Sequence, residues 1–510
     1  MAEHGTETTD TPSPRRRRRW PYVLVVLLAG AGAVGVTWGT LLSREGELAE
    51  MVAQVAGRGQ ALAWSDFAPE PVPAGRNAAV LHAEALRRYR RVFGLGGAKA
   101  PQPDANTEKL AGLVWLLNAD PATHPNLRRE HVGDVRQVLA LGRTVLAPCR
   151  QARRCSLVDW CLRFDGPART CGGPNVTHCV AVAKLLCLEA VTAAERGNAP
   201  EAVELLRDAM GVARSVESIP LLRPFLFAAG IRQRVCLAVE QVAPMLSTGR
   251  ADVPASPDVV GLTEDLRAPD RFSRAMMGER SFVYDTAERV RSGETSLADL
   301  AGGSGGLVSR LRDFHPGLLL PCWYVSDEIE LLARMTRHSE AAAARSYPAA
   351  EARRAKPLAV LCPDAPGPLA WAMFPRLDRA YLRRFGDVAM RRLAAAALAI
   401  RMYELDHGRR PDDLTSLVPK YLSLVPVDPF ARDSRAVGYA PDAPKPVLYS
   451  VYRGGKDDGG RYGTENGYVL LRKSPDLVFF LNGDRPDGEP DPQEPGRAMP
   501  APRMAGSRGP

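Results

Sequence analysis

The sequence contains no Cys-x-x-Cys pair, no Cys-x-x-Cys-His and no His-Glu-x-x-His. The first absence removes the paired-ligand spacing of common structural zinc sites. The second removes a covalently attached c-type haem, and the third the helix-borne zinc-protease signature. No stretch interleaves basic residues with aromatics, which make up only 6% of the chain. The net charge of +9 therefore does not mark a nucleic-acid surface. Five of the positive charges are Arg15–Arg19, and the remaining Lys and Arg alternate with Glu and Asp, as on solvated helix faces. No segment brings together a nucleophile, a base and an oxyanion loop. Gly302–Gly306 fits Gly-x-Ser-x-Gly around Ser304. That elbow needs a strand before it and a helix after it, whereas here a helical stretch runs into a plain Gly-rich loop. No catalytic residue is assigned.

What is present starts with an apolar run. Pro21–Leu42 carries no charge and is long enough to cross a hydrocarbon core of about 30 Å. Trp20, Tyr22 and Trp38 suit the two interfaces, and Arg15–Arg19 should keep the N-terminus in the cytoplasm. A cleaved signal peptide is the alternative, but the apolar core is too long and Thr37–Ser43 offers no small-x-small cleavage site. The expectation is an uncleaved anchor over Trp20–Leu42, with the bulk of the chain outside the cytoplasm. Gly35 and Gly39 form one Gly-x-x-x-Gly, a weak helix-pairing signal.

Composition then divides the chain. Residues 1–19 are a basic cytoplasmic tail and residues 20–42 a transmembrane helix. Residues 43–76 are a juxtamembrane helix, with Leu48, Met51, Val52 and Val55 on one face, and a Pro-rich spacer. Residues 77–345 read as a helical extracytoplasmic body. Within it, Val180, Ala183, Cys187, Ala190 and Ala194 make one stripe, Gly197-Asn198 breaks it, and Val203, Leu206, Met210 and Ala213 make the next. That is one αα-hairpin, similar to a single tetratricopeptide-like copy; a solenoid would need about three. Residues 346–383 are an Ala/Pro-rich linker, and residues 482–510 a disordered tail.

Residues 384–481 form a small α+β module. Ala389, Leu393, Ala396, Ile400 and Tyr403 lie on one helix face, and Gly408 with Pro411 stops the helix. Asp412 to Leu414 suit a short helix. Val447–Tyr452, Tyr468–Leu471 and Leu477–Leu481 have strand character, with an acidic Gly-rich loop, Arg453–Gly460, between the first two.

Five short motifs occur here in order: Tyr403–Pro411, Leu417–Leu422, Val425–Phe430, Leu448–Val451 and Gly455–Gly460. In order and spacing they resemble the globular domain of the major pseudopilin of type II secretion. The resemblance covers about a fifth of the chain, and the remainder resembles uncharacterised membrane-anchored bacterial envelope proteins. It implies a long helix against a small antiparallel sheet, with calcium held in the acidic loop. By position Asp457, Asp458 and Asp476 would be the ligands. Lys456, Arg461 and the insertion Tyr462–Gly467 depart from the family pattern, and a solvated Gly-Asp turn is the alternative. The helix also lies far from the N-terminus with no leader in front of it, so the module reads as a pseudopilin-type head on another body.

The implied location is the bacterial inner (cytoplasmic) membrane, with the body outside, where disulfides persist. Cys155, Cys161, Cys171 and Cys179 surround a loop, and two disulfides stapling it are expected, with the pairing left open. Zinc on these cysteines and His178 is the alternative. Cys187 sits on an apolar stripe as a small core residue. The fold class expected is mainly α, a helical bundle or irregular αα-hairpin repeat after one transmembrane helix, with a small C-terminal α+β pseudopilin-like domain. The function expected is a non-catalytic envelope scaffold or interaction protein that binds protein partners, among them components of type II secretion or a pilus-like assembly. An envelope hydrolase with its site in the helical body is the alternative.

Overall fold

The computed structural model describes residues 39, 42–94, 105–247, 257–263, 271–295, 320–356, 377–465, 468–469 and 474–486. Apart from Gly39 and Leu42, the expected anchor Trp20–Leu42 lies outside these residues. So do Ser304, residues 357–376 of the expected linker, and the tail beyond 486.

Helix α1 (residues 42–57) and a 3-10 turn at Trp64–Phe67 lead into the body. Asn77 caps α2 (Ala78–Val92): its Oδ1 accepts from Ala79 N and Asp159 N, both at 3.0 Å, while its Nδ2 donates to Asp159 O at 2.8 Å. One buried Asn thus starts a helix and fixes a loop 82 residues away. Next come α3 (Ala105–Ala119), α4 (Pro125–Glu130) and α5 (Val132–Ala152). The expected hairpin is α6 (Val176–Glu195) and α7 (Ala199–Glu217). Gly197 takes φ 76° between them, and the Asn198 side chain accepts from Glu201 N at 3.3 Å. Among the described residues α6 alone is long and apolar enough to cross a membrane, yet it is mostly buried, against α2, α5, α7 and α8 (Leu222–Val242). Its apolarity is that of a core helix.

The chain continues through a short α9 (Pro257–Val260), α10 (Arg271–Arg291), α11 (Leu320–Ala342) and α12 (Tyr347–Arg354). The expected face of α1 is found: Leu48 and Val55, flanked by Met51 and Val52, pack with Leu62 against Val325, Ile329 and Leu332 of α11. Arg280 of α10 reaches back to the same segment, donating to Gln60 Oε1 at 2.6 Å and Ala61 O at 2.7 Å. The expected spacer is seated as well. Trp64 stacks on Phe164 with ring centroids 5.0 Å apart and donates Nε1 to Arg163 O at 3.0 Å.

The long helix of the C-terminal module is α13 (Asp378–His407), ended by Gly408 at φ 71°. At about 1.5 Å per residue it runs roughly 45 Å. Helix α12 and the first turns of α13 occupy both described ends of the expected linker, and Tyr347 and Ala350 of α12 are buried. A 3-10 turn at Leu414–Leu417, capped by Asp413, replaces the expected short α-helix.

Strands β1 (Gly438–Ala440), β2 (Val447–Ser450) and β5 (Leu477–Phe480) form an antiparallel sheet in the order β1-β2-β5; β3 (Thr464–Glu465) and β4 (Tyr468–Val469) pair separately. Alternation sorts the two faces. Leu448, Leu477 and Phe479 join the main core with α13, whereas Val447, Val478 and Phe480 form a small second cluster with Tyr449 and Tyr462. Strand β2 stops at Ser450, two residues earlier than expected. Buried Asp428 is the cause: it accepts from Ser450 Oγ at 2.7 Å, Val451 N at 2.8 Å and Phe430 N at 2.9 Å, drawing the chain out of the sheet.

One hydrophobic core runs from Ala85 of α2 to Leu481 after β5. The fold is mainly helical with a small sheet, and the helical body and the C-terminal module share that core.

Candidate functional site

The Gly-rich loop after β2 brings two of the three sequence-assigned aspartates beside the third. A 3-10 turn, Tyr452–Gly454, ends at Gly455 with φ 64°. Gly459 and Gly460 follow at φ 69° and 80°. A Cβ at Gly460 would lie 3.0 Å from Val447 Cγ2 and 3.1 Å from the Tyr449 ring, so glycine allows the loop to lie against β2.

Asp457 Oδ1 accepts from Gly459 N at 2.9 Å, and its Oδ2 takes Arg435 Nη1 at 3.0 Å. Asp458 pairs with Lys456 Nζ at 3.2 Å. Asp476 differs. It is fully buried, and its Oδ2 accepts from Gly460 N at 2.9 Å and Arg461 N at 3.1 Å. Its Oδ1 is buried with no hydrogen-bond partner. Burial, with added repulsion from Asp458 and Asp457, pushes this carboxyl up to about 6 against the pull of the Gly460 and Arg461 amides.

The arrangement meets the calcium expectation partway. Asp476 Oδ1 is an oxygen in need of a cation or a proton, and two more carboxylates are close enough to raise its pKa. Calcium takes about six to eight oxygens. Among the described residues, however, no three His, Cys, Asp or Glu side chains are placed to share one ion. Arg435 and Lys456 hold the two outer aspartates instead.

A mutation separates these cases. Asp476→Asn keeps an acceptor for the two amides and removes the buried charge. A carboxyl raised above its unfolded value stabilises below the unfolded pKa, and that contribution is lost as pH rises through about 6. The variant should therefore melt above wild type near neutral pH in chelator. If the loop takes calcium, added calcium raises the wild-type melting temperature by several degrees and leaves the variant unmoved. Calcium shifting neither protein would remove the ion from this loop.

Three buried charge clusters were not apparent in the sequence. Arg232 of α8 donates to Asp387 of α13 at 2.8 and 3.1 Å and lies 2.9 Å from Glu217 of α7, with Arg391 Nε 3.5 Å from Asp387. Glu240 of α8 accepts from Phe480 N at 2.9 Å, covering the outer edge of β5, and from Arg485 at 2.6 and 2.7 Å. Asp208 of α7, fully buried, holds Arg150 and Arg153 of α5. Each cluster joins separate elements. Burial pushes the Asp387 and Asp208 carboxyls up, while the facing arginines pull them down.

The expected disulfides do not form. Cys155, Cys161, Cys171 and Cys179 are free thiols, as are Cys149, Cys187 and Cys236. The reason lies in where they sit. Cys179 is buried within α6, with burial pushing its thiol up to about 12, whereas Cys161 is exposed at φ 53° on the far side of the loop. Other bonds close the loop: Arg163 N to Cys171 O at 2.8 Å, and Trp160 Nε1 to Ser215 O at 2.7 Å. Cys187 is buried in the core, as expected.

His82 of α2 is buried against Trp160, and neither ring nitrogen has a hydrogen-bond partner. Burial, then Arg214, push its imidazole down to about 4. A depressed folded pKa gives stability that is present above the unfolded value and lost as pH falls toward about 4. His82 should therefore cost on the order of 3 kcal/mol between about pH 7 and pH 4. Urea unfolding at the two pH values measures this. His82→Leu should remove roughly half of the combined histidine slope, because His338 is pushed down in the same way.

Compared with known proteins, the chain matches no family model, no curated sequence and no solved structure.

Proposed function

We propose that the protein is a non-catalytic, membrane-anchored scaffold of the bacterial envelope. In this reading Trp20–Leu42 holds it in the inner membrane with the N-terminus in the cytoplasm. The body and module outside bind protein partners, and the C-terminal module links it to type II secretion or a pilus-like assembly. The observation that carries the reading is how buried charges fasten its parts. Arg280 clamps the segment after α1, Glu240 seals β5, and Arg232 with Asp387 locks α13 to the body. Charges committed to joints give a stiff platform for presenting surfaces, and a partly paired acidic loop suits a structural calcium.

The test is a crosslinked pull-down of the full-length chain from its native membrane. Secretion-machine or pilus components crosslinked through residues 384–481 support the reading; their absence removes the secretion link. Turnover of ester, peptide or glycan substrates by a chain starting at Arg44 would replace the scaffold with a hydrolase.

A further inference from the structure

A cleft of about 370 Å³ lies between α5 and the C-terminal half of α6. Four arginines line it, and they are not equivalent. Arg128 is buried and engaged by Glu195 at 2.9 Å and Pro121 O at 2.9 Å. Arg196 pairs with Glu189 at 2.6 Å. Arg136 and Arg143 are exposed and have no ion-pair or hydrogen-bond partner among the described residues. The two glutamates neutralise two arginines, so the cleft keeps the charge of the other two.

Arg136 and Arg143 stand seven residues apart, two turns along one face of α5, roughly 10 Å in rise. Val135 and Leu139 form an apolar floor. At the Arg136 end the apolar surface continues outward. Val132 is 44% exposed, and Trp115, 50% exposed, meets the His131 ring edge-on at 6.0 Å. An exposed Trp beside unpaired arginines is the composition of an interface centre.

We propose that this cleft receives an acidic segment of a partner protein, with two carboxylates roughly 10 Å apart and an apolar residue beside them. Extended chain at about 3.3 Å per residue places side chains three residues apart at that spacing. The guanidinium forks would each take one carboxylate, and the apolar residue would cover Val132 and Trp115. The charge surplus favours acidic protein over a neutral peptide. The assignment rests on the scaffold reading only in naming a protein as the partner.

Fluorescence anisotropy with the full-length chain in detergent tests it. The probe is a labelled Gly/Ser decapeptide with two glutamates three residues apart followed by leucine; the control carries glutamines. The wild type should bind the glutamate peptide at least about tenfold more tightly than the control, a margin that shrinks with salt. The double variant Arg136→Gln/Arg143→Gln should lose that margin. Arg196→Gln, whose partner is Glu189, should keep most of it. Because all three side chains are surface arginines, matching thermal melts confirm that folding is intact. No preference for glutamate in the wild type, or an unchanged preference in the double variant, overturns the proposal. So does inorganic phosphate occupying the arginines while the peptide does not bind. These outcomes concern the cleft alone, whereas the pull-down through residues 384–481 judges the scaffold reading separately.

Discussion

Asp387→Ala destabilises the protein by about 3–5 kcal/mol, the range for removing one partner of a buried ion pair. Asp387 is 5% exposed and sits between Arg232 and Arg391, with Glu217 on the far side of Arg232. The four groups balance as two cations and two anions. Deleting Asp387 leaves two guanidinium groups facing one carboxylate in the core, where water cannot replace the lost partner. Arg232 also lies over the Phe225 ring at 5.6 Å, so its position is fixed by packing and it cannot swing out to solvent. The double replacement Arg232→Met/Asp387→Leu should recover most of the loss, because a hydrophobic pair of similar volume needs no charge partner. Equilibrium urea unfolding of the three proteins decides it. A single variant within about 1 kcal/mol of wild type would show that the network does not hold α8 to α13.

Gly278→Ala is the second large effect, and its cause is steric. A Cβ on Gly278 of α10 would lie 1.7 Å from the carbonyl oxygen of Pro220 and 2.8 Å from its carbon. Pro220 belongs to the turn between α7 and α8, so the obstacle is backbone and no rotamer relieves it. Replacing helical Gly by Ala normally gains about 1 kcal/mol. Here the overlap should outweigh that gain and cost about 3 kcal/mol or more, lifting α10 from the body. Gly142→Ala is the control. Its Cβ would meet the end of the Leu185 side chain at 2.5–3.0 Å, which can shift, so a smaller loss is expected. Thermal melts with limited proteolysis across 271–342 compare the two. Equal melts for Gly278→Ala and wild type would contradict the close approach.

Elements with a strong local period were legible in the sequence. The α6–α7 hairpin showed its Gly197-Asn198 break, α13 its Gly408 stop, and β5 its apolar run. The face of α1 was also legible, but not its partner α11. Periodicity identifies which face of an element is buried and says nothing about what buries it. β1 was missed because Gly438–Ala440 is too short to alternate; it is a strand only because β2 lies beside it. Gly438 also leaves room for the Tyr449 ring, which a Cβ there would meet at 2.1 Å.

The charge clusters escaped for a similar reason. Arg232 and Asp387 are 155 residues apart, and each looks like an ordinary charged residue in a helix. At the candidate site the three aspartates came from the resemblance, and their environment came from elsewhere. Arg435, 22 residues before Asp457, supplies its partner, while the unpartnered oxygen of Asp476 follows from the burial of β5. The expected disulfides failed because closeness along the chain is not closeness in space. Cys155 to Cys179 span a loop whose ends leave the core in different directions.

The most direct test of an anchored envelope scaffold is protease shaving of intact spheroplasts carrying the full-length chain with a C-terminal tag. The account predicts loss of the tag without lysis, together with a membrane-bound N-terminal fragment protected from protease. A tag that resists protease until the membrane is dissolved, or a chain recovered in the soluble fraction, would contradict it.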